Sequence, residues 1–378
     1  MSDRLRIALV VHDYHRHGGH GRYVVELASR YRRDHDVHVF ANLVEEEDTT
    51  GITFHHIPAW RPNHLAYVLS FVIPATAKVR GAFDVIHSQG LCGLHHDLAT
   101  AHFCQTAWYT SLEREGVSLT WRQHVFRSLV TPLERRALCQ PGTRRVIAVS
   151  DGMRRNLADL YGRSHGVDVV YHGTDVDKFH PENRSRYRKA VRESVGVSDD
   201  RFLAIYVGDL KKGAVTAVRA VARTPGVTLL IVSPSPPDRY RAEAERAGVA
   251  DRVIFHPHSK RVERFFAAAD AFVFPTVYDP FGLVITEAMA SGLPVLTSPA
   301  AGAAELLTHG FDGLVTDRAW DVDAIARHLA RLRDDPGLRD RMGAAARARV
   351  EPLTWDRTAE QTLAVYRAVA AERDRRRG

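Results

Sequence analysis

Ala271-Phe272-Val273-Phe274-Pro275, followed by Tyr278-Asp279-Pro280-Phe281-Gly282-Leu283-Val284-Ile285-Thr286-Glu287-Ala288-Met289-Ala290-Ser291-Gly292-Leu293-Pro294, is the stretch on which the fold turns. Its first five residues are a continuous apolar run, which suits a strand buried on both faces. Gly282 opens a helical pattern, Gly292 closes it, and Pro294 begins the next strand, Pro294–Ser298. Strand, helix and strand in such quick succession predict a parallel sheet with helices on its faces.

The same alternation extends in both directions. Phe202–Gly208, Val227–Ser233, Val253–His256 and Gly313–Thr316 read as strands of the same series. An earlier series comprises Arg6–His12, Asp36–Ala41, Ile52–Pro58, Phe83–His87, Leu98–Phe103, Arg145–Ser150 and Val167–Tyr171. Gly21–Arg33 and Trp121–Cys139 carry helical spacing between them. Two such series predict an α/β chain with two doubly wound, Rossmann-like domains. The seam falls in the Gly-, Asp- and Pro-rich segment His172–Pro181, with Arg184–Val195 as a charged helix beyond it. The expected boundaries are 1–171 and 172–355. The last helix, Trp355 to about Arg373, crosses back so that about 356–378 joins the first domain.

A length of 378 residues fits two domains better than one core. Three cysteines, Cys92, Cys104 and Cys139, without CxxC spacing, exclude a disulfide scaffold and a structural zinc site and fit a reducing cytoplasm. The apolar run Ile7–Val11 is too short for a signal peptide core, and Leu65–Val79 is interrupted by Ser70, Pro74 and Thr76, so no membrane span is expected. A net charge of +7 is spread among interleaved signs, and no nucleic-acid-binding signature appears. The exception is the tail, with Arg373, Arg375, Arg376 and Arg377. It reads either as a solvated helix end or as attraction to an acidic membrane surface.

Ligands of doubly wound sheets bind beyond the carboxyl ends of the strands, and several loops there carry chemistry. His17-Gly18-Gly19-His20-Gly21 follows the first strand. Its glycines let a backbone approach a ligand, and a helix N-terminus offers free N–H groups, though a tight turn without ligand fits as well. No carboxylate or cysteine completes a metal site, so His17 and His20 read as solvated. Val207-Gly208-Asp209-Leu210-Lys211-Lys212-Gly213 places two lysines at a strand-to-helix turn, a phosphate site unless both are plain surface groups. In the quoted stretch, the N–H groups of Phe281, Gly282 and Leu283 at the helix start are expected to lack intrahelical partners. Asp279 and Glu287 flank them, and a carboxylate matches a vicinal diol of ribose or hexose. His102, in Thr100-Ala101-His102-Phe103, can face a ligand or be a core histidine. Asp175-x-Asp177 and Asp321-x-Asp323 read as turn or capping carboxylates rather than a metal motif.

Together these features resemble family 4 glycosyltransferases of the GT-B fold. DPFGLVITEAMASGLPVLTS looks like that family's E-x7-E segment. GGHGRYVVELA, VIAVSDGMRRNL, VVYHGTDVDKFHPENR, VGDLKKG and TWDRTAEQTLAVYR also fit, in family order over essentially the whole chain. The resemblance implies two Rossmann-like domains facing a central cleft. A nucleotide diphosphate sugar would bind mainly to the C-terminal domain and the acceptor mainly to the N-terminal one. Transfer would retain the anomeric configuration and need no metal and no cofactor beyond the donor, with UDP or GDP as carrier. By the motif match, Glu287 would hold the ribose hydroxyls. Asp279 with Phe281, Gly282 and Leu283 would meet sugar and phosphates. Lys211 and Lys212, after Gly208, would neutralise the diphosphate, while Gly18 and Gly19 would border it. His102 would sit beside the transferred sugar, making His102, Asp279 and Lys212 the catalytic candidates.

Three positions depart from the pattern. Asp279 stands where glutamate is commoner. The lysines follow Gly208 closely, which favours Lys212 over Lys211. His172 stands where asparagine is usual. The acceptor can be a carbohydrate, a lipid-linked sugar or a small molecule, with Pro62–Arg80 and Ala107–Arg127 as candidate walls. Ser233–Pro237 and His256–Ser259 lie where a base can sit. The rival readings are a nucleotide-sugar epimerase, a catalytically silent nucleotide-sugar-binding module and, third, an NAD enzyme, which would want a GxGxxG. The expected location is cytoplasmic, with peripheral contact to the inner face of the membrane as an open option.

Overall fold

A computed structural model of the chain describes residues 4–16 and 18–374. His17 and the tail residues Arg375, Arg376 and Arg377 lie outside the described residues. The chain divides into two compact units, Met1–Gly173 with Trp355–Gly378, and Thr174–Thr354.

The first unit runs β1 (Arg6–Val10), β2 (Asp13–Tyr14), α1 (Gly19–Tyr31), β3 (Asp36–Ala41), β4 (Leu43–Val44), β5 (Ile52–His56), α2 (His64–Lys78), β6 (Val85–Gln89) and β7 (Leu98–Ala101). It continues with α3 (Gln105–Arg114), α4 (Trp121–Cys139), β8 (Arg145–Ala148), α5 (Asp151–Tyr161) and β9 (Val167–Val169). The second unit runs α6 (Asn183–Ser194), β10 (Phe202–Val207), α7 (Ala214–Ala222), β11 (Val227–Ser233), α8 (Asp238–Arg246), β12 (Val253–Pro257) and α9 (Val262–Ala268). Then come β13 (Ala271–Phe274), α10 (Leu283–Ala290), β14 (Val295–Thr297), β15 (Leu314–Val315), α11 (Val322–Asp334) and α12 (Pro336–Val350). The last helix, α13 (Trp355–Asp374), belongs to the first unit.

Each unit holds one large parallel sheet. The first has seven strands in the order β5-β3-β1-β6-β7-β8-β9, and the second six in the order β12-β11-β10-β13-β14-β15. β10 and β11 are buried along their whole length, as continuous apolar runs covered by helices on both faces should be. Most predicted strands end a residue or two early, because the terminal residue of each run already begins the loop. The small parallel pair of β2 with β4 has no counterpart in the apolar pattern. Asp321 caps α11 by accepting from the Ala324 N–H at 2.9 Å, and Asp175 accepts from the Lys178 N–H at 3.0 Å. Both acidic pairs thus contain a turn or capping carboxylate, as read from the sequence.

The charged helix α6 is docked rather than merely solvated. Arg184, Arg188 and Arg192 recur every fourth residue and converge on the buried Asp270 at 3.1, 3.0 and 2.6 Å. Arg192 is itself only 1% exposed and also donates to the Ala268 carbonyl. Burial alone would raise the Asp270 carboxyl. The Leu203 N–H and the three guanidiniums outweigh it and hold the group below its ordinary value of 3.8. A carboxylate depressed in the folded state stabilises the fold above its unfolded pKa, and that stability is lost as pH falls through the folded value. Replacing Asp270 by asparagine strands buried guanidiniums, so urea unfolding near neutral pH should show a loss of about 3–5 kcal/mol. The gap from the parent chain should narrow once pH drops below 3.8. An unchanged urea midpoint would remove Asp270 from the docking of α6.

Candidate active site

The second unit brings most of the sequence-derived site residues to one edge of its sheet. β10 lies between β11 and β13, so the loops leaving β10 and β13 emerge side by side. The loop after β10 forms a single 3-10 turn, Leu210–Lys212, capped by Asp209, whose carboxylate accepts from the Lys211 N–H at 3.0 Å. Gly213 follows with φ +106°, and a Cβ there would lie 2.2 Å from the Pro275 carbonyl oxygen at the end of β13. Only glycine permits that approach.

The result is a direct contact between the two loops. Lys212 Nζ donates to Asp279 Oδ2 at 2.7 Å, with the carboxylate mostly shielded from solvent and the ammonium about one quarter exposed. Lys211 is exposed and makes no such contact with Asp279. Asp279 is fixed in turn by its backbone, since its N–H donates to the Ala300 carbonyl at 3.0 Å and its carbonyl accepts from Gly302 at 2.8 Å.

One expectation needs correction. The Phe281 N–H is not left over at the helix start, because Asp279 Oδ1 accepts it at 3.2 Å. A side chain two positions back reaches it before any ligand. The N–H groups of Gly282 and Leu283 have no partner among the described residues. Gly282 caps α10 in the left-handed region at φ +89°. Glu287 stands on α10 with 5% exposure. Gly208, at the end of β10, is half-buried against the Phe274 ring. Next to these loops, a cavity of about 550 Å³ is lined by Leu210, Ser233, Ser235, Phe255, His256 and His258. It has the size of a small-molecule pocket, and it occupies the segments marked from sequence for a base.

Gly18, Gly19 and His102 belong to the first unit. Gly18 caps α1 in an extended conformation, and the space around a Cβ on Gly19 is open. His102, just beyond β7, is buried and bonds through Nε2 to Gln89 Oε1 at 2.8 Å. With a carboxamide oxygen as acceptor, the proton sits on Nε2 and Nδ1 is left as the acceptor atom. The His172 ring stacks on it at 5.2 Å and 15°, and the His20 ring lies at 4.5 Å on another side. Tyr23 meets His102, His172 and His87 edge-on. His20 is therefore half-buried in an aromatic stack, not a solvated loop residue. His172, Gln89 and Tyr23 were not among the candidates, because they come from elements far apart in the chain and no local pattern links them.

The cluster is built to stay uncharged. Burial, followed by the neighbouring His20, His172 and His87, pushes the His102 imidazole well below its usual value. Burial, then His20 and Arg22, lowers His172 to about 3. Burial and His64 lower His20 to about 4. Among the described residues, no group of three or more His, Cys, Asp or Glu side chains is placed to hold a metal ion.

Two family descriptions match the chain: "Glycosyltransferase Family 4" over residues 17–178 and "Glycosyl transferases group 1" over residues 188–349. A D-inositol 3-phosphate glycosyltransferase of Acidothermus cellulolyticus is 30% identical, with 94% of this chain aligned to 87% of that protein. Among solved structures, WaaG, a glycosyltransferase involved in lipopolysaccharide biosynthesis, superposes with a TM-score of 0.78 at 21% identity, covering 95% of this chain and 98% of WaaG. Anabaena Alr3699/HepE, solved with UDP-glucose, gives 0.73 at 20% identity over 97% of this chain and 100% of its own.

The fold and these matches together define a GT-B glycosyltransferase. The chain belongs to the family 4 glycosyltransferases, and it is an enzyme that uses a nucleotide sugar. Its relatives are transferases rather than epimerases.

Neutrality of His102 is directly measurable. Its ring proton resonance should not titrate between about pH 5 and 8, the window in which an ordinary histidine does. A midpoint inside that window would show that the imidazole stack does not exclude charge.

Proposed function

We propose that the chain transfers a sugar from a nucleotide diphosphate sugar to an acceptor hydroxyl with retention of anomeric configuration and without a divalent cation. The observation that carries this reading is the 2.7 Å contact between Lys212 and Asp279 beside the partnerless N–H groups of Gly282 and Leu283. Cleavage of the sugar–phosphate bond places negative charge on the departing diphosphate oxygen. The Lys212 ammonium and the two N–H groups are fixed donors that meet such charge without reorganising. Asp279, relieved of Lys212 when the diphosphate takes that cation, is left to accept from sugar hydroxyls. Glu287 holds the ribose diol. The cavity beside Ser233 and His256 takes the base, and Lys211 adds exposed positive charge one residue beyond Leu210 of its wall. Gly18 and Gly19 let backbone border the phosphates, and His102 accepts a hydroxyl proton at Nδ1.

UDP and GDP are the carriers proposed, and the UDP-glucose seen with the Anabaena protein puts UDP first. Acceptors to try begin with D-inositol 3-phosphate, for which the Acidothermus protein is named, and extend to lipid-linked and free carbohydrates.

A thermal-shift screen with UDP, GDP, dTDP and ADP and their sugars should single out one carrier. With that donor at saturation, Lys212→Ala should lower kcat by about 10²–10³-fold, the usual cost of one preorganised donor. Its melting temperature should stay near that of the parent. Lys211→Ala should have a far smaller effect, and Glu287→Gln should act chiefly on donor KM. Normal turnover by Lys212→Ala would sink the mechanism, and isomerised donor in the absence of acceptor would favour epimerisation. Activity that vanishes with EDTA and returns with magnesium would remove the metal-free reading.

A further inference from the structure

The first unit carries an exposed apolar surface that takes in parts of Pro62–Arg80 and Ala107–Arg127, the segments read from sequence as acceptor walls, and extends beyond them. Among its exposed large apolar side chains, Trp60 and Trp121 are each 71% exposed and Ile73 is 74% exposed, with Val125 and Leu129 at 41% and 47%. All but Trp60, which precedes α2, lie on two helices that pack together. Val68 and Val72 of α2 share one apolar cluster with Val130 and Ala137 of α4, and His64 stacks on Phe126 at 5.5 Å. On α2, Phe71 and Ala75 sink into the sheet core, and Ile73 lies on the opposite side. The Trp60 N–H donates to Ser70 Oγ at 2.8 Å, which holds the indole's backbone beside the same outward side. On α4, Trp121, Val125 and Leu129 recur every fourth residue, a stripe that continues with Arg136.

Charge selects what covers this face. No aspartate or glutamate occurs between Trp60 and Arg80, and the one acid of α4, Glu134, is buried and takes the Gln105 N–H and the Tyr161 hydroxyl. Arg122, Arg135 and Arg136 are exposed and meet no carboxylate among the described residues. A second copy of the chain would bring the same arginines against each other with no carboxylate to answer them, because a two-fold contact uses one patch twice. A bilayer rich in anionic lipid answers both features. Indoles settle at the headgroup level, isolated aliphatic side chains reach below it, and arginines pair with phosphate.

We propose that the outward face of α2 and α4, with Trp60, docks the protein on an anionic lipid surface. The basic tail is not needed for this, and the contact is independent of the donor site.

The test is co-sedimentation of the full chain with vesicles of phosphatidylcholine alone and of phosphatidylcholine with phosphatidylglycerol. The parent chain should pellet with the anionic vesicles and be released by salt. The double variants Ile73→Ser with Trp121→Ser, and Arg122→Glu with Arg136→Glu, should each weaken that partitioning by about tenfold or more. Their melting temperatures should stay unchanged, since every altered side chain is exposed. In the unaltered chain, brominated lipid should quench tryptophan emission. Binding that survives both double variants, or no binding and no quenching with anionic vesicles, would overturn the proposal. So would a dimer in gel filtration that Ile73→Ser with Trp121→Ser disperses, which would make the face a contact between copies.

Discussion

In the second unit, two parallel strands run side by side and hand their loops to each other. β10 and β13 are neighbours, so the turn after β10 presses on Pro275, the residue that follows β13. At Gly213 the gap is too small for any side chain. That closeness places the Lys212 ammonium on the Asp279 carboxylate. The contact is an ion pair at the rim of a sheet, partly open to water, and its worth to stability is modest. On the proposed mechanism its worth to chemistry is larger, because each charge would serve a different part of an anionic substrate. The clamped backbone of Asp279 and the αL cap at Gly282 set the remaining donors beside it.

The first unit handles polarity in the opposite way. Instead of pairing charges it removes them. Imidazoles gathered at the carboxyl ends of its strands shield one another, and burial keeps them neutral. His87 belongs to the same arrangement, held by the Tyr366 hydroxyl from α13 and by Thr100 at 2.7 Å each. The C-terminal helix thus reaches the buried side of this cluster within its own unit. A neutral imidazole beside an acceptor can take a proton, whereas a protonated one cannot. One unit thus carries a cation paired with a carboxylate beside free N–H groups, and the other an uncharged polar stack.

Much of this was legible in the residues themselves. The run AFVFP, the helix from Leu283 to Ala290 and the strand at Val295–Thr297 were all marked by local pattern. Lys212, Asp279 and Glu287 stood out because cations and carboxylates after buried strands have few structural uses. Other features left no local trace. Asp209 looked like one more loop residue, yet it caps the turn that aims the lysines. The Phe281 N–H looked available until Asp279 was seen to hold it. α6 read only as a charged helix, and nothing in its own pattern showed that three of its arginines serve one buried carboxylate.

The sequence by itself determined the alternation of strands and helices, the places where the chain turns, and the kinds of groups those turns carry. These follow from periodicity and from the backbone habits of glycine and proline, which act over a few residues. Only the tertiary structure decided that the loop after β10 meets the loop after β13 and not the one after β12. It also decided that His20, His102 and His172 stack, and that α2 and α4 pack on each other through one apolar cluster. Those outcomes depend on strand order and helix packing, which join residues far apart in the chain and leave no mark on the spacing within either partner.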